Sequence, residues 1–353
     1  MAGGASGAAR PQSGLVPELL REYGAVVRAA LPDYLPEKEP RRYLYDLIAD
    51  YPQRGGKMMR PGLCIATAGA FGAPIEYALG PAIAIELLHN ALLIHDDIED
   101  QSEERRGRPT LHMLHGVPLA LNAGDSMTLL SLRPLIEQSE YLGPDLSLRL
   151  MREMETMALQ TGEGQAMELG WRRDNSMDVG VADYLQMVLK KTCWLATIFP
   201  TRVGAMIGSR GEADLNELFR FGFFLGAAFQ IQDDLLNLVH NDDRYGKEKN
   251  GDLWEGKRTL AIIHLLQQSN TEDKERLRSI LMLSRDQRTC EQIDWMRERM
   301  DAHGSIEYAR EIAQGLAGAA MHESSRLFSR LPDTRDKRFL LEVAPWVIER
   351  NEA

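Results

Sequence analysis

The stretch Asp96-Asp97-Ile98-Glu99-Asp100 places three aspartates at positions i, i+1 and i+4. It follows the apolar run Ile83 to Ile94, whose spacing predicts a helix. On a helix, Asp96, Asp97 and Asp100 fall within an arc of about 100°. Three carboxylates pointing the same way repel one another unless cations or solvent compensate. A second cluster, Asp233-Asp234-Leu235-Leu236-Asn237, repeats the spacing with an amide in third place, and it too ends an apolar run, Phe221 to Ile231. Oxygen donors of this kind suit Mg²⁺, which takes one or two carboxylates and completes its shell with water and substrate phosphate oxygens. Two acidic helix faces opposed across a bundle would hold a metal–diphosphate unit between them.

The basic residues fit the same chemistry. Gly55-Gly56-Lys57-Met58-Met59-Arg60-Pro61 sets Lys57 and Arg60 three apart behind a flexible glycine pair. His89 lies seven residues before Asp96, about 10 Å back along the same helix face. Arg105-Arg106 follows the first cluster, Lys191-Thr192 closes another helical segment, and Tyr245-Gly246-Lys247 and Gly256-Lys257-Arg258-Thr259 follow the second. Guanidinium groups grip phosphate oxygens through two parallel bonds, and lysines act as point charges.

The elements that must position these groups read as helix after helix. Apolar residues recur at three- and four-residue spacing in 78–100, 147–160, 181–197, 214–240, 258–268 and 304–330. No run of alternating β-branched residues is long enough for a sheet. Segments 83–94 and 221–232 are apolar around most of their circumference, which places them inside a bundle. The chain has 353 residues, 44% hydrophobic and 26% charged. That composition excludes disorder, and a net charge of −11 argues against nucleic acid as a partner. Three cysteines, Cys64, Cys193 and Cys290, fit reduced thiols and a cytoplasmic location. No stretch reads as the roughly 18 uncharged apolar residues of a transmembrane segment. The expected organisation is a flexible tail over 1–15 and one all-helical domain over 16–353, an all-α bundle around a deep central cavity.

Taken together, these motifs resemble those of the trans-isoprenyl diphosphate synthases. Leu93 to Asp100 followed by Arg105-Arg106-Gly107 is similar to their first aspartate-rich motif, and Gly55 to Pro61 to their Gly-Gly-Lys-x-x-Arg-Pro segment. Phe229 to Asp234 is similar to their second motif, and the match runs to Trp346-Val347-Ile348-Glu349-Arg350. The resemblance implies a Mg²⁺-dependent condensation of isopentenyl diphosphate with a C5, C10 or C15 allylic diphosphate, usually by a homodimer. It implies three Mg²⁺ ions, with Mn²⁺ able to substitute, held by Asp96, Asp97, Asp100 and Asp233 and supported by Asp234, with looser contact from Asn237. Arg105, Lys191 and Lys257 would bind the allylic diphosphate. Lys57, Arg60, His89 and Arg106 would bind that of isopentenyl diphosphate. Lys247 would close over the site, and Thr192 and Gln230 would face the developing cation.

The resemblance also bears on product length. Ala91 and Leu92, five and four residues before Asp96, stand where the family limits the growing chain. Ala91 leaves room, a deeper stop at Leu88, Leu87 or Ile85 is an alternative, and Met167 or a partner subunit would also supply bulk. The expected product is C20, geranylgeranyl diphosphate, with C15 or C25–C30 and longer as alternatives. Two features depart from the usual pattern: Asn237 stands where many members have Asp, and Cys193 where Gly is usual. Two rival functions are weighed. A class I terpene cyclase would need Ser and Glu where this chain has Tyr245 and Lys249, and a non-catalytic partner subunit would usually lack one aspartate motif.

Overall fold

The computed structural model describes residues 14–239 and 249–350. They are almost wholly helical. The exception is one two-residue hairpin, Glu104–Arg105 paired antiparallel with Arg108–Pro109. The first helix, Leu15–Ala30, begins one residue inside the expected tail, and residues 1–13 lie outside the described residues.

The helix Ile75–Glu99 is the centre of the bundle. Pro74, extended at ψ 153°, ends the preceding turn and lets the helix start at Ile75. From Ala82 to Ala91 nearly every residue is buried, as its apolar circumference requires. By length and composition this helix passes as apolar enough to span a membrane, although Glu76, Glu86 and Asp96 break it into uncharged runs shorter than the roughly 18 residues of a transmembrane segment. However, 78% of its apolar window is buried inside the protein, so its hydrophobicity is accounted for by the core. Met59–Ala70 and Val117–Leu130 pack against it. The other long buried helix, Leu215–Val239, packs against Ser305–Phe328, where Phe221 meets Phe328 edge-on at 5.3 Å. The two acidic clusters therefore sit near the C-terminal ends of two core helices.

Between these helices the chain runs Val181–Val188, then a π-helical stretch Leu189–Ile198, then Phe199–Gly208 without a break. A long π-helix is rare and marks a site where local geometry serves something other than helix stability. Small residues clamp it from both sides. A Cβ on Gly164, in the helix Pro144–Arg173, would lie 2.7 Å from Lys191 Cα. A Cβ on Gly226 would lie 2.8 Å from Cys193 Cα. Cys193 in place of the family's usual Gly is thus accommodated by the bare Gly226 opposite, and its thiol contacts the Phe223 carbonyl at 3.5 Å. Trp194 is buried and meets Phe219 at 6.1 Å.

This clamp separates two glycines two residues apart, on opposite faces of the same helix. Gly164→Ala forces the π-helical backbone aside and should cost about 1–3 kcal/mol. Gly162→Ala meets nothing within 4 Å and should be neutral or stabilising by up to about 1 kcal/mol. Urea unfolding midpoints of the two variants measure the contrast.

Candidate active site

A cavity of about 560 Å³ opens between the two acidic helix ends. Asp96 lines it from one side, and Asp233 and Asp234 from the other. Lys57, Arg60, His89, Arg105, Arg106, Lys191, Thr192, Gln230 and Lys257 all line the same space. Residues drawn from positions as far apart as 57 and 257 are thus gathered around one opening. Lys247 lies outside the described residues.

The carboxylates are held by cations, as their mutual repulsion demands. Lys191 Nζ lies 3.4 Å from Asp96 Oδ1 and also pairs with Glu168. Burial works to lower the Lys191 pKa, but Glu168 and Asp96 outweigh it and hold the ammonium charged. Lys257 Nζ is 2.8 Å from Asp100 Oδ2 and 2.6 Å from Glu255. Arg172 pairs with the other oxygen of Asp100. Burial acts to raise the Asp100 pKa, yet Lys257, Lys191 and Arg172 bring it below the ordinary carboxylate value. Across the cavity Arg350 donates to Asp233 Oδ1 at 2.5 Å and to the Phe229 carbonyl at 3.0 Å.

The neighbours Asp96 and Asp97 differ sharply. The Asp96 side chain is 25% exposed toward the cavity. Asp97 is fully buried and does not line it. Its carboxylate accepts from Tyr51 Oη at 2.5 Å and from Arg105 Nε at 3.0 Å. In the metal-free protein the Asp97 carboxylate is therefore committed to Tyr51 and Arg105 rather than turned to the cavity beside Asp96. Asp97 anchors Arg105 instead. The hairpin makes this reach possible: Arg106 and Gly107, at φ 55° and 69°, turn the chain back so that Arg105 folds onto the helix it has just left. Arg54 fastens the hairpin by donating to the carbonyls of Arg105 at 3.1 Å and Pro109 at 2.8 Å. Asp100 is also buried, behind the cavity wall.

The second cluster carries its own supports. Tyr184 Oη donates to Asp234 Oδ2 at 2.8 Å, and Gln230 Nε2 to Oδ1 at 2.7 Å. Thr192 Oγ1 donates to Gln230 Oε1 at 2.7 Å. Burial, with Asp252 nearby, pushes the Asp234 carboxyl up to about 8. Asn237 faces the following segment: its Oδ1 accepts from the Asp252 N–H at 3.1 Å and its carbonyl from Asn250 N–H at 3.1 Å. Among the described residues no group of three or more His, Cys, Asp or Glu is gathered closely enough to hold a metal ion by itself. The acidic groups face one another across the space, and the hard oxygens of Asp96 and Asp233 suit a cation that shares its ligands with a phosphate.

A second region of the cavity is almost purely basic. Lys57, Arg60 and Arg106 meet there, with His89 and Glu86 from the central helix. The Nε of half-buried Arg60 has no hydrogen-bond partner, and desolvation pushes the group down to about 10. Burial and Arg60 together push His89 down to about 4.

Of the three residues expected to set chain length, Leu92 lines the cavity, whereas Ala91 and Leu88 are buried outside its lining. Sequence reading missed Glu168, Gln165, Tyr184, Arg172 and Glu86. Gln165 and Glu168 stand one turn apart behind Gly162 and Gly164, and Gln165 donates to Glu99 at 2.6 Å. The glycines were the available signal, since they mark where that helix approaches the Lys191 backbone.

The different roles of the two adjacent aspartates are measurable in the metal-free protein. Asp97→Ala strands a buried guanidinium and should cost about 3–5 kcal/mol. Asp96→Ala leaves Lys191 with Glu168 and Arg105 with Asp97, and should cost no more than about 1 kcal/mol. Urea denaturation of both proteins reads the difference.

Known proteins resemble this chain in sequence and fold. The family model described as polyprenyl synthetase matches residues 41–300. A short chain isoprenyl diphosphate synthase of Methanothermobacter thermautotrophicus is 31% identical over 339 residues, covering 95% of this chain and 98% of its own. A geranylfarnesyl diphosphate synthase of Natronomonas pharaonis is 29% identical, covering 95% and 98%. The crystal structure of geranylgeranyl pyrophosphate synthetase from Pyrococcus horikoshii superposes with a TM-score of 0.82 at 30% identity, over 94% of this chain and 98% of that one. The chain therefore belongs to the polyprenyl synthetase family and is a trans-prenyltransferase.

Proposed function

We propose that the protein condenses isopentenyl diphosphate with an allylic diphosphate and releases geranylgeranyl diphosphate. The observation that carries this reading is the division of one cavity into two charge environments. Opposed carboxylates braced by lysines lie on one side, and a cluster of Lys57, Arg60 and Arg106 lies on the other. Two diphosphates of different roles explain that division. A cyclase, with one diphosphate, would leave the basic cluster without purpose. The geranylgeranyl synthetase at 30% identity supports the C20 product, and the geranylfarnesyl relative keeps C25 as the second reading.

In this reading Asp96, Asp100 and Asp233 would hold Mg²⁺, at three ions with Mn²⁺ able to substitute, and the metal would supply positive charge for the departing diphosphate. Lys191 and Lys257 stand beside the same carboxylates and bind the allylic diphosphate directly. Arg105 is aimed by Asp97, and its Nη2 lies 3.5 Å from Asp96 Oδ2. Its fixed guanidinium favours charge that grows as the C–O bond breaks. Thr192 spends its proton on Gln230, which turns its oxygen lone pairs outward and fits a dipole facing a carbocation. Lys57, Arg60, His89 and Arg106 hold isopentenyl diphosphate so that its alkene attacks the allylic carbon. A C–C bond forms, and the proton lost from the adduct passes to the released diphosphate. Lys247 is assigned to closure over the site. Asp234 supports Asp233 and fixes Gln230.

We place the cytoplasm as the site of action, on the three free cysteines. We also propose a homodimer. Large apolar side chains such as Met113, Leu121, Leu129, Ile136, Leu148 and Leu159 are exposed on successive helices between residues 111 and 159, a concentration that marks an interaction surface. Residues 16–353 act as one domain in this reading.

Incubation with isopentenyl diphosphate and C5, C10 or C15 allylic diphosphates, followed by separation of the dephosphorylated alcohols, should yield mainly C20. Chelation of divalent cations should abolish turnover, with Mg²⁺ restoring it. Absence of any elongated product would overturn the assignment. In the same assay Leu92→Phe should shift the main product to C15, because the added ring occupies the wall that the growing chain follows.

A further inference from the structure

Among the described residues, Glu86 is the carboxylate that lines the basic half of the cavity beside Lys57, Arg60, His89 and Arg106. It is 3% exposed, and burying a charge there is costly unless it does something for its neighbours. An anion is also the wrong charge for a diphosphate pocket. Its geometry is fixed: Oε1 accepts from Asn90 Nδ2 at 2.8 Å, one turn along the same helix. That bond turns Oε2 toward His89, whose Nδ1 lies 3.7 Å away. His89 Nδ1 is buried without a hydrogen-bond partner, so Glu86 is the acceptor poised for it.

We propose that Glu86 is a positioning residue for the isopentenyl diphosphate: it keeps the His89 proton on Nδ1, so that the bound diphosphate draws a second proton onto Nε2 and is met by an imidazolium. The inference rests on the reading of this half of the cavity as the isopentenyl diphosphate site. The charge balance supports it. Lys57, Arg60 and Arg106 face the pocket from the segment before the helix Met59–Ala70, from that helix and from the hairpin. Glu86 cancels one of these three charges. The two that remain meet a diphosphate ester of about three negative charges near neutral pH. Protonation of His89 restores the match. Asp233 and Arg350, from the helices on the far side, also act on Arg60 and offset each other. With the pocket empty, burial and Arg60 hold His89 neutral against the pull of Glu86. The arriving diphosphate reverses that balance, and the proton comes from solvent onto Nε2.

Calorimetric titration of isopentenyl diphosphate alone, without allylic substrate, tests this. The titration is run at pH 8, where the ligand is fully ionised, in three buffers of different ionisation enthalpy. The dependence of the observed heat on buffer enthalpy gives the protons taken up. The wild-type protein should take up about one proton per ligand bound. Glu86→Gln keeps the Asn90 bond and the volume. It should lower the uptake below about 0.3 and weaken binding about tenfold. His89→Asn should abolish the uptake, and Glu86→Asp, which restores the charge, should recover part of it. Unchanged uptake in Glu86→Gln, or none in wild type with binding intact, would overturn the role of Glu86. Failure of the wild-type protein to bind isopentenyl diphosphate at all would instead overturn the assignment of the pocket, and the inference with it.

Discussion

Buried like charges must be compensated, and that requirement organises this molecule. The site gathers carboxylates from two core helices into a space with little water, where their repulsion is strong. Asp234 leans on Tyr184 and Gln230, and the others are met by cations brought from elsewhere in the chain: Arg105 from a hairpin, Lys191 from the π-helical stretch, Arg172 from the helix Pro144–Arg173, Lys257 from the segment after the second cluster, and Arg350 from just beyond the helix Arg335–Glu349. These pairs close the ends of the bundle as well as furnish the site. Their net contribution to stability is modest, because desolvation offsets most of the attraction. What they contribute is placement, since a guanidinium tied to a buried carboxylate has few orientations left.

The π-helical stretch Leu189–Ile198 is the backbone counterpart of this constraint. It carries Lys191 and Thr192 toward opposite supports, Glu168 on one helix and Gln230 on another. Regular α-helical register would not need Gly164 and Gly226 pressed against it. The helix accepts a poorer hydrogen-bond pattern, and the neighbouring glycines accept the loss of side chains, in order to bring two functional residues into the cavity wall.

Much of this was legible beforehand. The all-helical fold follows from the three- and four-residue periodicity, and the buried helices from their apolar circumference. The site residues are legible where type and spacing coincide with a helix end, as at Asp96 and Asp233. The division of labour within each cluster was not. Helical spacing puts Asp96 and Asp97 on nearly the same face, and only the return of the hairpin, which depends on Arg106 and Gly107 adopting positive φ, claims Asp97 for Arg105. Ala91 illustrates a second limit: five residues from Asp96 already puts it about 140° off the aspartate face, so its role came from the resemblance alone, and its side chain lies in the core. Glu168 and Glu86 escaped because isolated glutamates on helices are usually solvated, and their partners lie far off in sequence or carry no distinctive pattern.

The last helix, Arg335–Glu349, has a consequence for the order in which the protein is made. It packs against the first, where Tyr23 Oη donates to Asp336 and Arg335 pairs with Glu18 and Glu22 at 2.8 and 3.0 Å. Arg350, just beyond it, reaches Asp233. The N-terminal helix therefore leaves the ribosome more than three hundred residues before its partner exists, and the second acidic cluster waits more than one hundred for its arginine. Contacts of such long sequence separation form late and slowly. During synthesis the nascent chain carries an apolar N-terminal face and an uncompensated carboxylate cluster. Closure of the site thus waits until the helix Arg335–Glu349 and Arg350 have been made.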